Sequence, residues 1–292
     1  MSDTVASDLF LPAGRAAAEG YDVAVTPESA GWGYSSLRVL TLPRGGRRTI
    51  DTGDSEVFVV PLAGSAEVER DGRVFTLEGR RDVFAGPSDF AYVPIDSTFT
   101  LSSLEGGRFA LAGARTERAL DFRYVPRADV AVELRGAGQC SREVRNFGTA
   151  DAFDAGKAIA CEVVTPSGNW SSYPAHKHDE QTDTEAELEE IYYFEIASGP
   201  DGQPGFGFHR TSSSPAGEID VLVEVHQGDT ALVPYGWHGP CVAGPGFDMY
   251  YLNVMAGPAA ERAWRISDHP DHAFVRDTWN DQAIDPRLEG GT

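Results

Sequence analysis

The sequence predicts an all-β chain arranged as two tandem barrels, and three observations carry that expectation. Short runs rich in β-branched and aromatic residues recur along most of the chain, bounded by glycine and proline turns. A 292-residue chain with 41% hydrophobic content can bury one large core or two modest ones. Finally, the two halves repeat the same local order of a Glu-led apolar strand, a hairpin, and a strand ending in Val-Pro.

In the first half the runs are EVFVVPLAG from Glu56, AEVERDG, RVFTLEG, DFAYVP, TFTLSS and RFALAGA. In the second half EIYYFEIASG opens at Glu190, and GDTALVPYGWHG follows a longer hairpin. Aligning Glu56 with Glu190 and Pro94 with Pro234 gives offsets of 190 − 56 = 134 and 234 − 94 = 140, so the second copy has the longer middle. We therefore expect an N-terminal barrel over residues 1–145 and a C-terminal barrel over 146–292. Helical periodicity is expected only in a short stretch near residues 257–264, and no glycine-rich phosphate loop joins a strand to a helix.

Charge and composition narrow the function. The formal charge of −21 repels phosphate backbones and anionic headgroups, which argues against nucleic acid and membrane partners. An anionic substrate would need a local cationic patch or a metal. No apolar run reaches the roughly 18 residues of a spanning helix, and the N-terminal segment lacks a secretion signal's basic-then-apolar order. Cys140, Cys161 and Cys241 are odd in number and widely spaced, so we read them as small apolar fillers in a reducing, cytoplasmic protein.

Histidine placement is the sharpest signal. All seven histidines, His176, His178, His209, His226, His238, His269 and His272, lie in the second half. The first half has arginines and threonines between Arg44 and Glu56, and Thr98 stands four residues after Pro94 as His238 does after Pro234. That half reads as a barrel kept for structure. One residue separates His176 from His178, so on a strand both face one side while Lys177 faces the other. Two imidazoles, a carboxylate from the next strand and an imidazole from a later strand would bind a divalent metal and leave positions open. Glu190 and His238 fit the later places, although period alone says only that Glu189 and Glu190 face opposite ways.

The segments GNWSSYPAHKH from Gly168, LEEIYYF, GFGF, GDTALVPYGWH and YYLNVMAGP resemble the 5-deoxy-glucuronate isomerase family of inositol catabolism, which is bicupin. More distantly they are similar to ketol-isomerases of unsaturated uronates. The resemblance is densest over residues 165–280. It implies two tandem cupin (double-stranded β-helix, jelly-roll) barrels, with the metal on His176, His178, Glu190 and His238 and Glu190 chosen over Glu189 or Glu180. Two departures from the general cupin pattern are plain. The glutamate comes 190 − 178 = 12 residues after the second histidine, behind the acidic insertion DEQTDTEAELE, and the last histidine comes one residue early.

The implied reaction converts 5-deoxy-glucuronate, a small sugar acid, to 5-dehydro-2-deoxy-gluconate. It needs an electrophile on the carbonyl and a group that moves a proton between adjacent carbons, and a divalent ion (Zn, Mn, Fe or Ni) supplies the first. His209, His272, Tyr251 and an acidic-loop carboxylate, Asp179 or Glu180, are candidates for the second. Arg210 is the first candidate for the substrate carboxylate, ahead of Lys177, and Trp170, Tyr173, Trp237 and Tyr251 for a sugar-contacting rim. His226 and His269 read as ordinary strand and turn positions, and the acidic run as a solvated loop. Two rival readings use the same ligands: an iron-dependent bicupin dioxygenase, separable by oxygen uptake, and a non-catalytic sugar-acid-binding cupin. Open sheet edges make a homo-oligomer a reasonable expectation.

Overall fold

A computed structural model describes residues 6–288 of the chain. Strands hold 48% of the residues and helices 9%, in the all-β arrangement that the turn-punctuated runs predict. The sheets stack as jelly-roll layers and do not close into barrels. The stretch expected to be helical at 257–264 is irregular, pinned by Arg262, whose Nε donates 2.7 Å to the Ala158 carbonyl.

A nine-stranded sheet forms the N-terminal half around the strand Ser55–Arg70. Its first part pairs with Phe90–Val93 and Gly107–Arg115, and its second with Arg73–Arg80 and Thr98–Ser103, so one strand turns from one layer into the other. The corner falls at irregular pairing around Pro61–Gly64. Gly64 adopts φ +89° there, and an added Cβ would lie 2.6 Å from the Gly106 carbonyl oxygen, so only glycine fits.

The C-terminal half faces a seven-stranded sheet against a six-stranded one. The first runs in the order Phe10–Leu11, Thr230–Val233, Glu189–Ile196, Met249–Ala256, Ile159–Thr165, Arg142–Gly148, Ala131–Arg135. The second runs Gly217–Val225, Gly207–Ser214, Trp237–Ala243, His176–Lys177, Ser267–Asp268, with Trp170–Ser171 also paired to Trp237–Ala243. Sheet membership therefore changes between Val125 and Ala131, and the expected boundary at 145/146 falls inside Arg142–Gly148. The early strand Phe10–Leu11 crosses over to pair with Thr230–Val233 of the other half.

Alternation explains why the central strands look uniformly apolar. Val57 and Val59 point into the N-terminal interior with Leu40, Phe99 and Leu111, while Phe58 and Val60 point into a core shared by the two halves. On the facing sheet Ile191 and Tyr193 join that shared core, while Tyr192 and Phe194 line the C-terminal interior. Every residue of Met249–Ala256 is buried, because both faces of that strand are covered.

Two carboxylates clasp the halves reciprocally. Glu189 accepts from the backbone N–H groups of Gly33, Tyr34 and Ser35 at 2.6–2.9 Å, in the first half. Glu56 accepts from those of Gly156, Lys157 and Ala158 at 2.6–2.7 Å, in the second, and from the Tyr92 hydroxyl at 2.6 Å. These contacts make Glu56 the counterpart of Glu189, one residue from the alignment with Glu190. Between the same sheets, buried Glu162 accepts from Tyr250 at 2.7 Å and pairs with Arg80.

Candidate metal centre and substrate cavity

Local strand geometry gathers the site at one end of the C-terminal interior. Two strands pair so that His176 lies opposite His238, which places one imidazole beside the other with ring centroids 4.5 Å apart. His178 follows on the same face as His176, with its ring 4.6 Å from that of His238. Glu190 enters from the opposing sheet, where pleat parity sends Glu189 outward to the other half and Glu190 inward. Ligating atoms of His178, Glu190 and His238 lie within 4.8 Å of one another, and all three residues are buried. His176 lies beside them, its ring 6.4 Å from that of His178.

The imidazole orientations test whether a cation fits. Each Nδ1 lies 3.0–3.1 Å from a backbone carbonyl: Pro174 for His176, Leu188 for His178 and Gly236 for His238. A carbonyl can only accept, so each Nδ1 carries the proton and each Nε2 presents a lone pair. Yet the Nε2 atoms of His178 and His238 stand 2.9 and 3.1 Å from Oε2 of Glu190, another lone-pair donor, and buried His238 Nε2 has no hydrogen-bond partner among the described residues. A cation among them, metal or proton, removes that repulsion. Burial, then the neighbouring imidazoles, holds His176 well below the usual histidine range, which favours its neutral, ligand-ready form. Burial would raise the Glu190 carboxyl, but the facing His178 and His238 imidazoles outweigh it and hold the group below its ordinary range.

The acidic insertion folds as a clamp rather than a solvated loop. Lys177, on the outward face as the alternation predicts, is buried and bonds Asp179 and Glu185, each at 2.7 Å. Glu185 also accepts from the N–H groups of Asp179 and Glu180 at 2.9 and 3.1 Å. Leu188, at the far end, returns its N–H to the His178 carbonyl at 2.9 Å, so the loop fixes a candidate ligand from both sides.

Beside this cluster opens a cavity of about 390 Å³, within the ~300–1,000 Å³ of typical ligand sites. His176, Glu190, Tyr192, Tyr251, Ser172 and Asp268 line it, as do Asn253, Trp264 and three arginines, Arg135, Arg142 and Arg276. Ser172 Oγ lies 3.2 Å from the Tyr192 hydroxyl and 3.1 Å from that of Tyr251. Burial raises both phenols, so they are neutral hydrogen-bonding groups at neutral pH.

Of the residues singled out from sequence for proton transfer, Tyr251 alone lines this cavity. His209 is buried behind it, 3.0 Å from Thr211 Oγ1 and 3.3 Å from Cys241 Sγ, and burial lowers its pKa to about 3. His272 stacks on His269 at 4.5 Å, outside the lining. Asp179 is committed to Lys177, Ser214 and the Gly236 N–H, and Glu180 is exposed. Arg210 pairs with Asp220 on the outer hairpin, where the strand parity that buries His209 turns it away from the interior. Trp170, Tyr173 and Trp237 are also absent from the lining: Trp237 meets His269 edge-to-face at 4.9 Å, and Trp170 packs on Tyr173 at 5.4 Å. The sequence reading missed Ser172, Tyr192, Asp268, Asn253 and the three arginines. Tyr192 was legible, since it shares a strand face with Glu190.

Known proteins give the same outline. The model of the KduI/IolB family matches residues 9–275. A 5-deoxy-glucuronate isomerase of Geobacillus thermodenitrificans is 39% identical over 263 residues, 89% of this chain and 93% of the relative. That of Bacillus subtilis strain 168 is 33% identical, covering 86% and 91%. The crystal structure of an IolB-like protein from Salmonella typhimurium LT2 superposes with a TM-score of 0.83 at 31% identity, covering 91% of this chain and 98% of that one. Oxalate decarboxylase from Lactobacillus farciminis shares the fold alone, with a TM-score of 0.58 at 13% identity, covering 91% and 89%. With matching segments that run through both halves and across every cavity-lining strand, the chain belongs to the KduI/IolB family.

Proposed function

We propose that this protein is a metal-dependent aldose–ketose isomerase converting 5-deoxy-glucuronate to 5-dehydro-2-deoxy-gluconate, with a divalent ion on His176, His178, Glu190 and His238. The observation that carries this reading is the convergence of buried imidazole and carboxylate lone pairs beside a sugar-sized cavity that hydroxyl, amide and guanidinium groups line. A divalent ion held there would supply Lewis-acid polarisation of the substrate carbonyl and its neighbouring hydroxyl. Three neutral imidazoles and one carboxylate leave that ion a net charge near +1.

The chain's own groups divide the remaining work. Ser172, Tyr192 and Tyr251 form a hydroxyl series along the wall that can hold sugar oxygens and pass protons between them. Asp268 is the lining carboxylate outside the imidazole cluster, fixed by Arg276 at 2.7 Å and paired in register with His176. We assign to Asp268 the transfer of the carbon-bound proton and to Tyr251 the placement of the adjacent hydroxyl.

The test follows ketose formation from 5-deoxy-glucuronate by NMR, using metal-replete protein, chelated protein and His176→Ala. Conversion without oxygen uptake, lost in both controls, is the expected result. Oxygen consumption would turn the assignment to a dioxygenase, and absence of conversion by metal-replete protein to a binding protein.

A further inference from the structure

A chain with a net charge of −21 must still attract a sugar acid, and the cavity contains the means. Three arginines line it, but they are not equivalent. Arg135 is engaged by Glu133 at 2.7 and 3.0 Å, and Arg276 by Asp268. Arg142 is buried and has no carboxylate partner among the described residues; Nη1 donates 2.9 Å to the Cys140 carbonyl, and the guanidinium lies over the Trp279 ring at 5.4 Å. Those contacts hold the group in place without neutralising it. An uncompensated buried charge is costly, and a site that keeps one is built to receive the opposite charge.

Two further donors in the same lining lack partners. Asn253 Nδ2 and Trp264 Nε1 are both buried and have no hydrogen-bond partner among the described residues. Unpaired donors and a free guanidinium around one cavity describe a receptor for oxygen acceptors, of which one is anionic. Burial, the dominant influence, lowers the Arg142 pKa to about 10, which leaves the group charged at neutral pH.

We propose that Arg142 is the carboxylate-binding residue of this site, fixing the acid end of a uronate, with Asn253 and Trp264 donating to its oxygens. The proposal deepens the isomerase reading and rests on it for the identity of the acid. It makes Arg142 the determinant that separates sugar acids from neutral sugars.

Calorimetry on the metal-replete protein tests it with D-glucuronate and D-glucose as probes, alongside KM and kcat for 5-deoxy-glucuronate. Arg142→Met is expected to weaken glucuronate binding about 30-fold or more, the loss typical of a partner removed from a buried charged pair. KM should rise similarly with a smaller change in kcat, and Arg142→Lys should recover part of the loss. Glucose binding should be weak and unchanged by either substitution. Arg142→Lys, which keeps the charge, and thermal melts of both variants separate a lost anchor from a lost fold. Equal glucuronate affinity in wild type and Arg142→Met, or no preference of wild type for glucuronate over glucose, overturns the proposal. Arg142-dependent glucuronate binding without turnover of 5-deoxy-glucuronate would leave the anchor standing and remove the isomerase.

Discussion

In the N-terminal half the space between the layers is filled by Leu40, Ile50, Val57, Val59, Phe99 and Leu101; in the C-terminal half the comparable space holds three imidazoles, Glu190 and a 390 Å³ cavity. The turn before each late strand is alike, with positive φ at Asp96 in one and Gly236 in the other. After that turn the parity differs. Thr98 is exposed and bonds Asp51 at 3.3 Å, leaving Ser97 and Phe99 to face inward, whereas His238 faces inward to Glu190. Side-chain parity and identity at a few strand positions therefore separate a filled interior from a binding one, on similar strand order.

The largest effect should separate the halves directly. Glu190→Ala is expected to lower kcat/KM by at least about 10³-fold through loss of the metal cluster, whereas Thr98→Ala should leave it within twofold. Steady-state assays with metal analysis check both, and a large loss in Thr98→Ala would break the division of labour. Next, Asp268→Asn should lower kcat by about 10²–10⁴ while metal content is retained, as expected of a proton-transfer group. An unaffected kcat would return the step to another residue.

Stability should show the halves as equals where activity does not. Glu56→Ala and Glu189→Ala each strand three backbone N–H groups, and each should cost about 3 kcal/mol in denaturant unfolding. A loss confined to one would show that the clasp is not reciprocal.

The smallest effect concerns pH. Burial would raise the Glu162 carboxyl, but Arg80 and Arg145 outweigh it and hold the group below its ordinary 4.5. Its stabilisation is thus complete above about pH 4.5 and is lost as pH falls through the lower folded value. Replacing it by Gln should lower stability at neutral pH and flatten the acid limb of a stability–pH profile. An unchanged limb would assign acid sensitivity elsewhere.

The sequence disclosed this division unevenly. Histidine content and spacing located the gathered cluster, because strand parity converts an H-x-H pair into a shared face. Glu56 was aligned with Glu190 instead of Glu189 because adjacent glutamates differ only in which face they take, and that is a tertiary fact. Arg142 gave no signal: it lies in a segment expected to close the first half, yet it pairs into the second half's sheet. His209 and Arg210 attracted notice by residue type, but the same parity buries one behind Tyr192 and turns the other to Asp220.

The most direct measurement of the central claim is the metal stoichiometry of the purified protein and of Glu190→Ala, by elemental analysis. One equivalent of divalent metal per chain in the wild type, lost in Glu190→Ala, is the predicted result. Two equivalents, or one equivalent retained by the variant, would contradict a single centre in the C-terminal half.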